Sequence, residues 1–284
     1  FGPYFVEPGV PSLKELEYYL KFNPNLADTI EINRVDVFMS ADYSHHFILY
    51  RYRDGEDTVS QDGLRLNGVH LNTESVVGAQ FSDSLFLPVG TAFSWNKDAW
   101  LDLNSHHINA TSSVLGCEVY INIYTQPKGW AKQIMQTAGI PGAVIPFVNF
   151  LSIPNDSTTY TFEDSYDSSS FFSMDNDIFL WSMSSHTHQW GVDFDIYKRN
   201  PDGTKGEHYF DGSNLYGHPD CLYLGYDYDR PPGINFEPFL FVPKNEGLIQ
   251  VASYVNTGPN NPVTWGITSE DEMMIMVLLY VKDT

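Results

Sequence analysis

Two histidines one residue apart, His186 and His188, form the pattern that most directly suggests metal chemistry in this sequence. Residues typical of β-strands flank them, and side chains two positions apart in a strand point to the same side. Both imidazoles could therefore reach one ion, since neutral imidazole is the commonest protein ligand for metals. The same pair would also suit the polar face of an ordinary strand. The interpretation depends on where the other histidines lie.

Six of the nine histidines occur as three pairs in strand-like segments. The other two pairs are His45-His46, which opens a hydrophobic run, and His106-His107, which follows one. An ordinary solvated face would more often use acidic residues, which this chain has in abundance. The two pairs in the first half therefore predict a site with three imidazole ligands. His45 and His46 can share one ion only at a strand end or a β-bulge, because neighbours in a flat strand point to opposite faces.

The histidine pair in the second half lacks a third ligand unless one comes later in the chain. Met273 is one candidate for this ligand. Its thioether would favour Cu(I) over Zn²⁺, Mg²⁺ or Ca²⁺. Met273, Met274 and Met276 also fit a simple core strand, so a packing role for Met273 stays open. For the histidines that stand alone, ordinary surface or core positions are expected: His70, His208 and His218.

The elements that must position these side chains are predicted to be short β-strands. The clearest alternation runs from Thr29 to Met39, where a one-residue phase slip after Ile32 also predicts a β-bulge. Turn dipeptides such as Asp54-Gly55 separate similar segments. Many short strands with turn signals between them predict an all-β fold. It would consist of two tandem antiparallel β-sandwich domains, jelly-roll-like, with little helix.

A stretch rich in Pro and Gly, Gln126–Gly142, predicts the boundary between two domains. The first domain would span residues 1–135 and the second residues 136–284, so that each carries one of the histidine sites. Helical signals are few. A capping-box pattern predicts a short helix from Ser12 to about Lys21, and Ala131–Thr137 is a second possible helix.

Composition excludes several classes of function. The 284 residues include 42% hydrophobic side chains, enough for a sizeable core, but only 15 Lys and Arg against 36 Asp and Glu. A net charge of −21 argues against binding nucleic acid or anionic membranes. No apolar run is long enough to predict a membrane span. Because the chain opens on Phe1, a removed leader and a secreted or periplasmic location are expected. Cys117 and Cys221 could pair or stay free.

Taken together and in this order, the three pairs and Met273 resemble the copper type II ascorbate-dependent monooxygenases. That family includes peptidylglycine α-hydroxylating monooxygenase and dopamine β-monooxygenase. It has two tandem β-sandwich domains; the first carries an adjacent His-His and a later His, the second His-x-His and a Met. The resemblance covers about residues 29–281 and includes Leu87-Pro88-Val89-Gly90 and Thr268–Met273. It implies two copper ions per chain, one on each of two ligand sets: His45, His46 and His106; His186, His188 and Met273.

The resemblance also implies an activity. The chain would hydroxylate a C–H bond of a small-molecule or peptide substrate with O₂ and a reductant such as ascorbate, and the second copper set would be catalytic. Ser184 stands where the peptide-amidating members have an arginine that helps hold the substrate carboxylate, and hydrophobic residues follow Met273. A C-terminal glycine peptide is therefore not expected, and a less polar substrate is. Two other functions stay open: a non-catalytic copper-binding or storage protein, and an adhesion or carbohydrate-binding module.

Overall fold

The fold is all-β, as the alternation of apolar residues predicted. A computed structural model of the chain describes residues 1–9, 14–39, 44–55, 63–66, 72–79, 82–145, 148–149, 151–170, 174–213, 225–228, 230–258, 262–266 and 268–283. None of these residues is helical, so none lies in a helix that could cross a membrane. The strands form mainly antiparallel sheets of the β-sandwich, jelly-roll-like class in two compact units, residues 1–136 and residues 137–284.

The first unit carries its candidate metal site on strands in the interior of a sheet. The strands are β1 Tyr4–Val6, β2 Lys14–Phe22, β3 Ile30–Met39, β4 Ser44–Tyr52, β5 Gly63–Leu66, β6 Thr73–Ala79, β7 Asp83–Phe86, β8 Thr91–Trp95, β9 Leu101–Asn109, β10 Leu115–Cys117 and β11 Val119–Pro127. One sheet has the order β5–β2–β9–β4–β6. In another, β3 lies between β11 on one side and β7 and β8 on the other, and β1 pairs with β10.

Strand β2 corrects the helix predicted from Ser12 to Lys21. Residues 14–22 pair along their whole length with β9, and part of β2 also pairs with β5. The segment alternates acidic or polar residues with apolar ones at a period of two, which suits a strand with two different faces. Hydrogen bonds to strands on both sides stabilise the extended conformation more than a local capping pattern stabilises a helix. Tertiary context therefore decides the conformation. Residues 10–13 lie outside the described part of the chain.

The second predicted helix, Ala131–Thr137, is also wrong. Strand β12, Gln133–Pro141, occupies most of it, and the first residues of β12 pair in parallel with β8. The turn before β12 is held by the buried carboxylate of Glu31, which accepts the N–H groups of Gly129 and Ala131 at 2.6 Å each. Pairing with β8 therefore decides the conformation of this segment over a weak local helix signal.

The β-bulge predicted in the first long strand is confirmed. Arg34 in β3 lies opposite Tyr124 in β11, and Ile32 lies opposite Thr125, which leaves Asn33 as the extra residue. The bulge explains why Ile32 and Val35 are both completely buried although they are three positions apart.

The second unit has its sites at the end of a buried strand and at a sheet edge. The strands are β13 Val144–Ile145, β14 Val148–Asn149, β15 Ser152–Ile153, β16 Thr159–Tyr166, β17 Ile178–His186, β18 Gly191–Arg199, β19 Lys205–Asp211, β20 Gly233–Val242, β21 Leu248–Val255, β22 Val263–Thr264 and β23 Ile275–Lys282. The sheets have the orders β23–β17–β20 and β16–β21–β18–β19, and β13 pairs with β14 and β15 with β22. Core side chains such as Leu180, Phe194 and Met276 are completely buried.

Candidate metal centres

The first-unit cluster is created by strand register. Glu17 in β2 and His46 in β4 both lie opposite His106 in the central strand β9. Residues directly opposite one another in an antiparallel sheet project from the same face. The ligand atoms of Glu17, His46 and His106 consequently lie within 4.8 Å of one another. One carboxylate and two imidazoles are thus brought to one point by three adjacent strands.

Asn104 orients two members of this cluster. It lies two residues before His106 on β9, and its Nδ2 donates to Glu17 Oε1 at 2.9 Å. Its Oδ1 accepts a hydrogen bond from His46 Nε2 at 3.0 Å, because an amide oxygen can only accept. The hydroxyl of Tyr19 donates to the same Oε1 of Glu17 at 2.9 Å. The Glu17 carboxylate is therefore held by two neutral donors.

His106 is the more buried of the two imidazoles in the cluster. Its ring lies 4.9 Å from that of His46, measured between centroids, and its side chain is 3% exposed. Its Nε2 approaches Oε1 of Glu15 at 2.6 Å. The first-unit cluster, defined here as Glu15, Glu17, His46, Asn104 and His106, thus contains two carboxylates next to two imidazoles. Carboxylates commonly stand beside metal-binding histidines and orient their rings.

Protonation states in the cluster suit a metal ion. Burial alone would raise the pKa of Glu17, but hydrogen bonding and charge from His46, charge from His106 and the Asn104 bond lower it overall. The pKa of His46 is lowered, chiefly because burial disfavours its cation and also because His106 lies nearby, and Glu17 opposes this only in part. The lowered pKa of His46 therefore favours its neutral imidazole, which is the form that binds metals.

The other member of each first-half histidine pair lies outside this group of ligand atoms. His45 lies in β4 at a register shift between Ser44 and His46, which is the bulged geometry that the sequence required of it. Only the backbone of His45 is described, so its role as a ligand stays a prediction. His107 projects to the opposite face, where its Nδ1 is 3.1 Å from the Tyr4 hydroxyl. Burial, then the charges of His106 and His46, lower its pKa to about 4, so it is a neutral core histidine.

The second-unit pair lies where β17 ends. His186 is its last residue, and His188 follows in the turn that leads to β18. The two rings are 5.2 Å apart between centroids and nearly perpendicular, at 84°. Nδ1 of His188 lies 3.2 Å from the carbonyl oxygen of Asp271, to which it can only donate. This bond leaves the lone pair on Nε2, the tautomer of a histidine that binds a metal through Nε2.

Glu272 links this pair to the segment that contains Met273. Its completely buried carboxylate accepts the backbone N–H of His188 and that of Met273 with Oε1, the latter at 2.8 Å, and that of Trp190 with Oε2 at 3.0 Å. Burial raises the pKa of Glu272 to about 8, against the lowering effect of these N–H groups. The main chains of His188 and Met273 thus share one acceptor atom. Met273 itself is half-buried, and its ligation together with both imidazoles stays a prediction.

Sequence reasoning missed the carboxylates and the amide of the first-unit cluster. The helix that the capping-box pattern predicts would turn Glu15 and Glu17 to different sides. The available signal was the alternation along β2, which puts both on one face. Of the remaining predicted candidates, Cys117 is buried against β1, while Cys221, His70 and His218 lie outside the described residues.

Comparisons with known proteins name no family. No protein-family model and no curated protein matches the chain. Among solved structures, the major capsid protein P2 of bacteriophage PM2 aligns over 100% of this chain and 98% of that one, with 8% identity and a TM-score of 0.38. The infectious bursal disease virus VP2 subviral particle aligns over 95% of this chain and 72% of that one, with 10% identity and a TM-score of 0.23. Likenesses this weak carry no conclusion about function.

Proposed function

We propose that this chain is a metal-binding β-sandwich protein whose first unit holds one divalent transition-metal ion between Glu17, His46 and His106. The observation that carries the proposal is the spacing of their ligand atoms, all within 4.8 Å of one another. Two imidazoles and a carboxylate suit Cu²⁺, Zn²⁺ or Fe²⁺, whereas Mg²⁺ and Ca²⁺ prefer oxygen ligands alone. Copper is the ion that the resemblance to the copper-dependent monooxygenases implies.

The competing explanation is a polar network that binds nothing. Asn104 and Tyr19 already satisfy Glu17 by hydrogen bonds, as they would in a purely structural network. The two explanations differ in what Glu17 does. A structural carboxylate can be replaced by an amide of the same shape with little effect on metal uptake, whereas a ligand cannot, because metal ions bind the charged carboxylate.

The test is a copper titration of the chelator-treated full chain, followed by calorimetry and by metal analysis after dialysis. Glu17→Gln and His106→Ala are each expected to remove one equivalent of Cu²⁺ or to weaken it by about 100-fold or more. His107→Gln is the matched control, since His107 neighbours His106 but faces Tyr4 on the other side of the sheet. If both cluster variants fold and bind as much copper as the wild type with the same affinity, the proposal fails.

A second candidate function is the copper-dependent monooxygenase that the sequence resembles, with the second centre catalytic. The observation that favours it is the second-unit pair: two imidazoles 5.2 Å apart, with His188 in the tautomer set by Asp271 and Met273 tied to His188 through Glu272. Two imidazoles and a thioether suit Cu(I), and bound copper would supply redox chemistry with O₂. The chain would hold the ligands and shield them from water. A secreted or periplasmic location, two coppers per chain and an ascorbate-like reductant belong to this proposal.

Oxygen uptake and Cu(I) affinity test the second candidate. The copper-loaded chain with ascorbate should consume O₂ only when a hydrophobic C–H substrate is present. Met273→Ile should keep the fold and weaken Cu(I) by at least about tenfold at this centre, while Met276→Leu, a core change, should not. Unchanged Cu(I) affinity in Met273→Ile would remove that ligand. Absence of substrate-dependent uptake across a substrate panel would reject the oxygenase and leave the first proposal standing.

A further inference from the structure

A third group of metal-ligating side chains lies on β18 and β19 of the second unit. Asp195 in β18 pairs directly with Asp211 in β19, so both carboxylates project from one face of the sheet. His208 projects to the same place, and its Nε2 is 2.8 Å from Oδ1 of Asp195. The ligand atoms of Asp195, His208 and Asp211 all lie within 4.8 Å of one another.

Each of these side chains is oriented by a neighbour. The ring of Tyr197 stacks on that of His208, with 4.3 Å between centroids and 14° between planes, and its hydroxyl donates to Asp195 Oδ2 at 3.3 Å. Ser213 donates to Asp211 Oδ1 from its backbone N–H at 3.2 Å and from its hydroxyl at 3.1 Å. Ligands held in this way lose little freedom when an ion binds.

A separate observation concerns Asp193, two residues before Asp195. Its Oδ1 is buried, and within the described residues it has no hydrogen-bond partner. A buried carboxylate oxygen without a donor is costly unless a cation compensates it. The pKa of Asp195 is raised by its burial first, then by the charge of Asp193 and, after the opposing effect of His208, by Asp211. Three carboxylates thus repel one another around a single imidazole.

We propose that Asp195, His208 and Asp211 bind one divalent transition-metal ion, of which Zn²⁺ and Mn²⁺ are representative, with Asp193 supplying further negative charge beside it. One imidazole among carboxylates suits borderline Zn²⁺ and can also bind the harder Mn²⁺, whereas Ca²⁺ and Mg²⁺ take oxygen ligands. The structural alternative is a surface ion pair between protonated His208 and Asp195, with side chains 36% and 17% exposed. This site is separate from both centres above and does not depend on the proposed function.

The test is titration of the chelator-treated full chain with Zn²⁺ alone, with the number of ions counted per chain. His208→Ala and Asp195→Asn should each remove one equivalent or weaken it by about tenfold or more, while equivalents at other centres persist. Glu207→Gln is the matched control, because it removes one charge from the same strand next to His208 but on the alternate face. Should either cluster variant fail to fold, Asp211→Asn at the end of the strand provides the same comparison.

Thermal unfolding with and without Zn²⁺ supplies an independent readout. Without metal, Asp195→Asn should melt at or above the wild-type temperature, because one of the mutually repelling charges is gone. With Zn²⁺, it should lose the part of the metal-induced rise that wild type and Glu207→Gln retain. An ion pair alone predicts the reverse, a lower melting temperature without metal and no change in Zn²⁺ uptake. Folded variants that bind as many ions as wild type, equally tightly, would overturn the proposal.

Discussion

The two candidate centres near the predicted histidines are built in opposite ways. The first-unit cluster takes its side chains from three strands far apart in the chain, and only their register brings Glu17, His46 and His106 together. The second-unit pair is local in sequence, and a single buried acid, Glu272, ties it to a distant segment. A centre of the first kind depends on sheet pairing as a whole. A centre of the second kind depends on one residue.

The electrostatics of their acids differ for the same reason. Imidazoles that can carry charge surround Glu17 and lower its pKa despite burial. Glu272 is surrounded by backbone N–H groups, and burial raises its pKa to about 8. A carboxylate in the first setting can serve as an ionised ligand. A carboxylate in the second setting is suited to organising the backbone around the histidines.

The strongest test of this difference between the two centres is to remove Glu272. Glu272→Ala leaves the N–H groups of His188, Trp190 and Met273 buried without their acceptor. Each buried N–H group without an acceptor costs about 1–3 kcal/mol. We expect the free energy of unfolding to fall by about 4 kcal/mol, measured by urea denaturation. Glu270→Ala, an exposed neighbour, should change it little. A loss no larger than that of the control would show that Glu272 does not organise the turn.

The raised pKa of Glu272 predicts a dependence of stability on pH. The ordinary pKa is 4.5 and the folded value is about 8, so the folded state binds the proton more tightly. Stability should therefore be highest below about pH 4.5 and should fall by several kcal/mol as pH rises through about 8, at about 1.4 kcal/mol for each unit by which the pKa is raised. The metal-free wild type and Glu272→Gln should diverge over this window in denaturation experiments. Parallel stability profiles would mean that Glu272 titrates normally.

Much of the fold follows from the sequence because alternation is a local signal. The phase slip after Ile32 correctly located the bulge at Asn33, and the all-β class followed from repeated short alternating segments. The histidine pairs likewise indicated where β4, β9 and β17 lie. Such patterns report which face of one strand is buried, and this requires no knowledge of its neighbours.

Pairing between strands is not a local signal, and the sites depend on it. Glu17 became a candidate ligand only because β2 pairs with β9, and a capping-box pattern had assigned that segment to a helix. His208 was expected to be an ordinary residue because it stands alone in the sequence, yet the register of β18 and β19 puts it beside Asp195. Sequence predicts residue types that can bind metals, whereas register decides which of them meet.

A smaller effect is expected from the amide in the first-unit cluster. Asn104→Ala removes the group that bridges Glu17 and His46, which should lower stability by about 1–2 kcal/mol and weaken Cu²⁺ by about tenfold. Asn122→Ala is the matched control, an exposed asparagine on β11 of the same unit. Denaturation and copper titration of both variants measure the two effects. A full loss of copper in Asn104→Ala would make the bridge as important as the ligands, which contradicts its supporting role.

The smallest predicted effect is the change in Cu²⁺ affinity of the first-unit cluster under mild acid. Because the pKa values of Glu17 and His46 are both lowered, these ligands should stay unprotonated well below neutral pH. Between about pH 7.5 and 6 we expect protonation of Glu17 and His46 to change the affinity by less than about threefold, whereas an imidazole with an ordinary pKa would bind protons in this range. Calorimetry corrected for buffer protonation measures the affinity and counts the protons released. A drop in affinity of about tenfold or more, with protons released by the histidines, would show that the buried network does not keep these ligands unprotonated.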